Sequence, residues 1–242
     1  MKQTVLVLGL LINANIFSQE VSKIDYQLNF GTIITIPYKK NVDKLVEYVG
    51  HPKTEYNSGF GFFSECSINY RLNKNFFLNP GINYNLSILN YKSKIGISVN
   101  KGDLTSSYIG IPILVKYKIS DNVPVFLIAG PYFGFLINAK AKGTEYADTS
   151  LLIMTKPDSA TAIIRKPWNY NQSIKEDYKT FDIGVSIQID YNLKVSEKFN
   201  GVIFTRFNYG VKNIMKNDFV NMSAGGDWKN YSLMIGLGLN YK

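Results

Sequence analysis

Cysteine and histidine are nearly absent. The 242-residue chain holds one of each, Cys66 and His51. A lone cysteine excludes an internal disulfide and any cysteine-based metal site. Cys66 also stands far from the N-terminus, which excludes an anchor on the first mature residue. His51 lies beside Pro52, with no Ser or Asp spacing around it that suggests a triad. A hydrolase using His51 with a loop carboxylate such as Glu55 is the weaker alternative. No metal-ligand cluster is visible, and the loop carboxylates do not follow calcium-loop spacing. The glycines of Gly59-Phe60-Gly61 and Ala224-Gly225-Gly226-Asp227 precede no helix, which excludes a phosphate loop. The expectation is a non-enzymatic protein with no cofactor and no metal.

Long internal hydrophobic runs are missing too. The richest stretch, Val123 to Ile137, contains Pro124, Gly130 and Pro131, which argue against a helix. No internal segment reaches the roughly 20 apolar residues that a spanning helix needs. The one helix-like apolar segment is N-terminal. Lys2, the run Thr4 to Ile12, then a small and polar exit give the form of a secretory leader. Residues 1–19 are therefore expected to be a signal peptide and 20–242 one exported domain. Charge clustering is also lacking. The formal charge is +9, yet the longest basic run is Lys39-Lys40. A nucleic-acid surface needs its basic residues gathered on one face. Scattered Lys and Arg better suit rims that meet anionic lipid headgroups.

What is present is a period of two. Phe181 to Tyr191 sets bulky apolar residues at odd numbers and polar residues or Gly at even ones. A strand of this kind has one apolar face and one polar face. Similar segments are read at about 25–38, 57–72, 76–91, 106–119, 123–140, 179–193, 199–213 and 229–241. On the apolar parity of seven of them, at alternating chain ends, stand Tyr26, Tyr70, Phe76, Tyr117, Tyr191, Phe199 and Tyr241. In an up-and-down meander these rings share one height and point outward, as the interface belt of a membrane barrel does. Tyr38, Phe60, Phe181, Tyr209 and Tyr231 would mark the other rim. A general preference of Tyr and Phe for strands is the plainer alternative. Cys66 falls on the outward parity as a small apolar group.

The connections alternate in length. Asn73-Lys74-Asn75, Asp121-Asn122 and Lys194 to Lys198 are tight turns, while 39–56, 92–105, 141–178 and 214–228 read as long loops. The third long loop is expected to carry a small hairpin, with Leu151 to Thr155 and Ala160 to Ile164 flanking Lys156-Pro157-Asp158-Ser159. The fold class expected is all-β: an eight-stranded antiparallel up-and-down transmembrane β-barrel with short periplasmic turns and long extracellular loops. Its inner faces would carry Glu65, Lys116, Lys118, Asp182, Asp190 and Arg206. Buried ions of both signs need partners. Glu65 and Arg206 are expected near mid-height, with Lys116, Lys118 and Asp190 nearer the periplasmic end. The network would hold the barrel together, or else pass ions. An eight-stranded barrel has room only for its own side chains, which disfavours a wide pore.

Tyr108-Ile109-Gly110-Ile111-Pro112-Ile113-Leu114-Val115-Lys116-Tyr117-Lys118 and Pro124 to Tyr132 follow a known pattern. Phe181 to Gly184 and Gly236 to Tyr241 match its strand-start and chain-end forms. Through these segments the chain resembles the outer-membrane protein β-barrel family, in its PorT-like, Bacteroidetes-type group. The resemblance implies residence in the outer membrane, with lipid and the barrel-assembly machinery as partners, and it assigns no functional residue. Members commonly end on an aromatic residue, whereas Lys242 follows Tyr241 here. The role expected is structural, adhesive or in assembly, through extracellular loops and a partner not identified. A small-solute channel or secretion component is one alternative, and a secreted soluble ligand-binding barrel another.

Overall fold

The structure, a computed structural model, describes residues 23–37, 39–40, 53–95, 98–120, 122–147, 167–216 and 227–241. The N-terminal leader, Tyr38, His51, the hairpin expected around Lys156 and Lys242 lie outside the described residues. Eight long strands follow the chain: β1 (Ile24–Ile36), β2 (Phe60–Arg71), β3 (Phe76–Ile95), β4 (Ser98–Lys118), β5 (Val125–Ala147), β6 (Phe181–Lys194), β7 (Phe199–Gly210) and β8 (Tyr231–Tyr241). Each pairs antiparallel with its neighbours in sequence. β8 returns to β1 in the register Tyr26↔Tyr241 to Ile36↔Tyr231, which closes the sheet. Closure leaves no strand edge within the ring, the condition for exposing a sheet to hydrocarbon.

The period of two sorts the faces. Outward-facing Leu28, Phe30, Ile82, Ile187, Ile203, Ile235 and Leu237 are all exposed, the last at 66%. They form a continuous apolar band around the barrel. Water-soluble monomers rarely expose apolar patches beyond a few hundred Å2, so a band of this extent needs a nonpolar surrounding. At one end of it Tyr26, Tyr241 and Phe199 follow one another across β1, β8 and β7. Phe76 and Tyr117 are likewise paired across β3 and β4, with ring centroids 4.9 Å apart. Tyr191 stands between Val125 and Ile203, and Tyr70 beside Ile24. At the other end Phe60, Phe181 and Tyr209 are exposed, while Tyr231 is buried by stacking on Tyr209.

Two expectations need correction. Residues 92–105, read as a loop, continue β3 and β4 almost to the hairpin tip, in register to Ile95↔Ser98. β5 likewise runs on to Ala147, where Trp168–Ser173 pairs with it, and Lys53–Ser58 pairs with the upper part of β3. The result is a five-stranded wall standing above one side of the barrel. These extensions stand clear of the apolar band and carry Lys101-Gly102-Asp103 in β4 and Lys142 to Glu145 in β5, so the apolar alternation that marks a half-buried strand is interrupted in them. The second correction concerns the lumen. Beside the expected polar residues it holds a dry cluster of Ile33, Phe63, Val202, Phe204 and Met234. Glycines make room for it: a Cβ on Gly236 would meet the Phe204 ring at 2.8 Å and the Phe30 carbonyl oxygen at 2.1 Å.

Candidate functional site

The inner faces of β2, β4, β6 and β7 bring four ionised side chains into one chain of contacts. Arg206 reaches across the lumen to Glu65, with Nη1 donating to Oε2 at 2.6 Å and Nη2 to Oε1 at 2.7 Å. Two parallel bonds of this kind are the strongest form of the ion pair. Asn29 and Asn83 donate to the same carboxylate at 3.1 and 3.2 Å. Arg206 Nε donates to Gln188, whose amide donates to Asp190. Asp190 in turn accepts from Lys116 Nζ at 3.0 Å, and Lys116 also donates to Gln27. The guanidinium lies over the Phe63 ring and the ammonium over the Phe126 ring. Glu65, Asp190, Lys116 and Arg206 are all 2% exposed or less. Their charges cancel two against two, so this part of the lumen carries no net charge.

Asp182 does not join that chain. It sits on β6 toward the opposite end, where Oδ2 accepts from Asn230 at 2.8 Å and from the Tyr132 hydroxyl at 3.3 Å. Above it lies a second apolar layer of Tyr108, Leu136, Ala139, Tyr178, Ile214 and Met215. The segment after β7 folds over the barrel mouth to complete this layer. Lys179 N–H donates to the Ile214 carbonyl at 2.7 Å, and Ile214 N–H to that of Trp228 at 2.8 Å.

On this floor, inside the five-stranded wall, lies a cavity of about 440 Å3. Tyr56, Tyr91, Trp168, Tyr170, Tyr178 and Trp228 face it, with Asn100, Glu145, Gln172 and Asp177 between them. Tyr56 meets Trp228 edge-on at 4.7 Å, and the Tyr91 and Tyr170 hydroxyls are hydrogen-bonded. Burial pushes the Tyr56 hydroxyl up to about 12. Both tryptophans of the chain are in this cup. Sequence reasoning missed it because its residues come from separate segments whose pairing lies beyond the apolar band. The concentration of both tryptophans in the long connections was the one available signal. At the other end a wider vestibule of about 600 Å3 is lined by Arg71, Lys74, Lys118, Lys194 and several asparagines.

A family profile described as "Outer membrane protein beta-barrel domain" matches residues 13–216. No curated protein matches the chain. Among solved structures, Neisserial surface protein A is similar at 15% identity, over 93% of this chain and 99% of that one, with a TM-score of 0.42. Ail, the attachment invasion locus protein of Yersinia pestis, is similar at 10% identity, over 90% and 98%, with a TM-score of 0.37. The outer membrane protease OmpT from Escherichia coli is similar at 10%, over 90% and 96%, with a TM-score of 0.34. At identities this low none of these proteins' roles carries over.

Proposed function

Because the chain belongs to the outer membrane protein β-barrel domain family and resides in the outer membrane, we propose that it is a non-enzymatic surface receptor or adhesin. In this reading it holds its binding cup outside the cell on a closed barrel. Lipid covers the apolar band, and the tight turns at the vestibule end face the periplasm. The leader through residue 19 is removed on export, leaving 20–242 as the mature barrel. The observation that carries the reading is the aromatic cup above a lumen blocked by two apolar layers and a charge-balanced network. A concave site with flat rings and a few carboxylates suits an amphipathic ligand, such as a sugar chain or a peptide with basic side chains. Cations gain further from facing aromatic rings. The polar network then acts as internal bracing, and the belt of Tyr26, Tyr70, Phe76, Tyr117, Tyr191, Phe199 and Tyr241 fixes the barrel's depth in the membrane.

Since both tryptophans line the cup, their fluorescence reports on it without a label. Refolded protein is expected to shift its emission on titration with an oligosaccharide mixture or a basic amphipathic peptide. Tyr170→Ala should weaken the response several-fold. In planar bilayers the same protein should give no discrete conductance steps. Steady single-channel steps, with fluorescence indifferent to both probes, would replace the receptor reading by that of a channel.

A further inference from the structure

Three buried oxygen atoms in the upper lumen have no hydrogen-bond partner, Thr35 Oγ1, Asn85 Oδ1 and Asp182 Oδ1, and beside them the Tyr108 hydroxyl meets only the neutral Asn230 amide. They come from β1, β3, β4 and β6, and all four residues line one small cavity of about 40 Å3. A single water needs roughly 10–15 Å3 on this measure, so there is space for one ion and a water. The orientation of the Asn85 amide follows from the network below. Glu65 can only accept, so Asn83 presents its NH2 to it. The Asn83 oxygen then takes the Asn85 NH2 at 3.0 Å, which leaves Asn85 Oδ1 to face the cavity. Asp182 is 2% exposed, and the groups donating to it, the Tyr132 hydroxyl, the Asn230 amide and the Ile183 backbone N–H, are all neutral. A buried carboxylate without a countercharge is strongly disfavoured.

We propose that this cavity binds one small monovalent cation, held by the Asp182 carboxylate and the neutral oxygens of Thr35, Asn85 and Tyr108. The donor set is all oxygen, which selects a hard cation. The other four buried lumenal ions already cancel, so a single positive charge neutralises Asp182, whereas a divalent ion would leave an excess. The bound ion ties four strands together across the upper barrel and anchors the floor of the cup. The inference holds whatever the cup binds.

The test uses the refolded full barrel in detergent, with sodium exchanged for choline at constant ionic strength. The thermal midpoint should rise with sodium, or with potassium, and follow a saturation curve. Asp182→Asn, which preserves size, should have the same midpoint in both salts. Thr35→Val, a milder change should Asp182→Asn not refold, should move the curve to several-fold higher sodium. The proposal fails if the wild-type midpoint ignores the exchange, if calcium alone raises it, or if Asp182→Asn keeps the full response. It also fails if infrared difference spectra in sodium show a protonated carboxyl band that Asp182→Asn removes.

Discussion

Arg206→Met removes the cation that crosses the lumen while keeping an unbranched, flexible stem in its place. Glu65 then keeps only the amides of Asn29 and Asn83, at 3.1 and 3.2 Å, to compensate its charge. Both side chains of the pair are at most 1% exposed, so solvent cannot take over the role. Breaking a buried pair by removing one partner costs about 3–5 kcal/mol, because the remaining charge is stranded. Removing both charges is far milder, since the desolvation cost disappears along with the attraction. In Glu65→Gln/Arg206→Met the Gln oxygen still accepts one asparagine bond, and the unused donor costs about 1–3 kcal/mol. The single variant should therefore be the less stable of the two by about 2 kcal/mol. Urea titration of the refolded barrel, followed by tryptophan emission and by the gel shift on boiling, measures both against wild type. The cycle also needs Glu65→Gln alone, to isolate the coupling. If Arg206→Met lies within about 0.5 kcal/mol of wild type, or the double variant is no better than the single, the pair is not what braces the lumen.

Other outcomes follow from the same geometry. Ile187→Arg, on the outer face at the middle of β6 and 51% exposed, should cost about 2–4 kcal/mol, against about 0–1 near the interface. Val195→Arg in the periplasmic turn serves as that reference, and equal costs would mean that lipid does not cover this face. Tyr56 holds its proton more tightly folded than unfolded, so its contribution to stability is complete below about pH 10 and lost as pH rises toward about 12. Tyr56→Phe should remove amplitude near pH 12 from the tyrosinate absorbance titration and flatten the stability loss in that window. An unchanged titration would place Tyr56 in contact with solvent. Cys66 is exposed on the outer face of β2, so a bilayer-soluble maleimide should label it in vesicles while a charged one should not.

The alternation of side chains along 181–191 was enough to assign inner and outer faces, because in a strand the face is set by parity alone. It set Glu65, Lys116, Asp182, Asp190 and Arg206 on the inner parity, where they are buried, and Tyr26, Phe76, Tyr191, Phe199 and Tyr241 on the outer one, where they are exposed. It put Glu65 and Arg206 near one height, but could not tell that Asn29 and Asn83 share the Glu65 carboxylate with Arg206. These residues are distant along the chain, and the register and stagger of eight strands decide which inner side chains share a level. The apolar layer around Phe204 was illegible for a related reason. An apolar residue on the inner parity resembles a lapse in the pattern until Gly31 and Gly236 are found beside it.

The amino-acid order alone settled the strand-rich class and the barrel's two faces, since these depend on short-range periodicity and on residues a few positions apart. The cup, the blocked lumen and the small cavity beside Asp182 were decided only by tertiary structure. Above the membrane a strand needs no outer apolar face and its periodic mark is interrupted, and inside the barrel neighbours are chosen by pairing between segments that no local pattern connects.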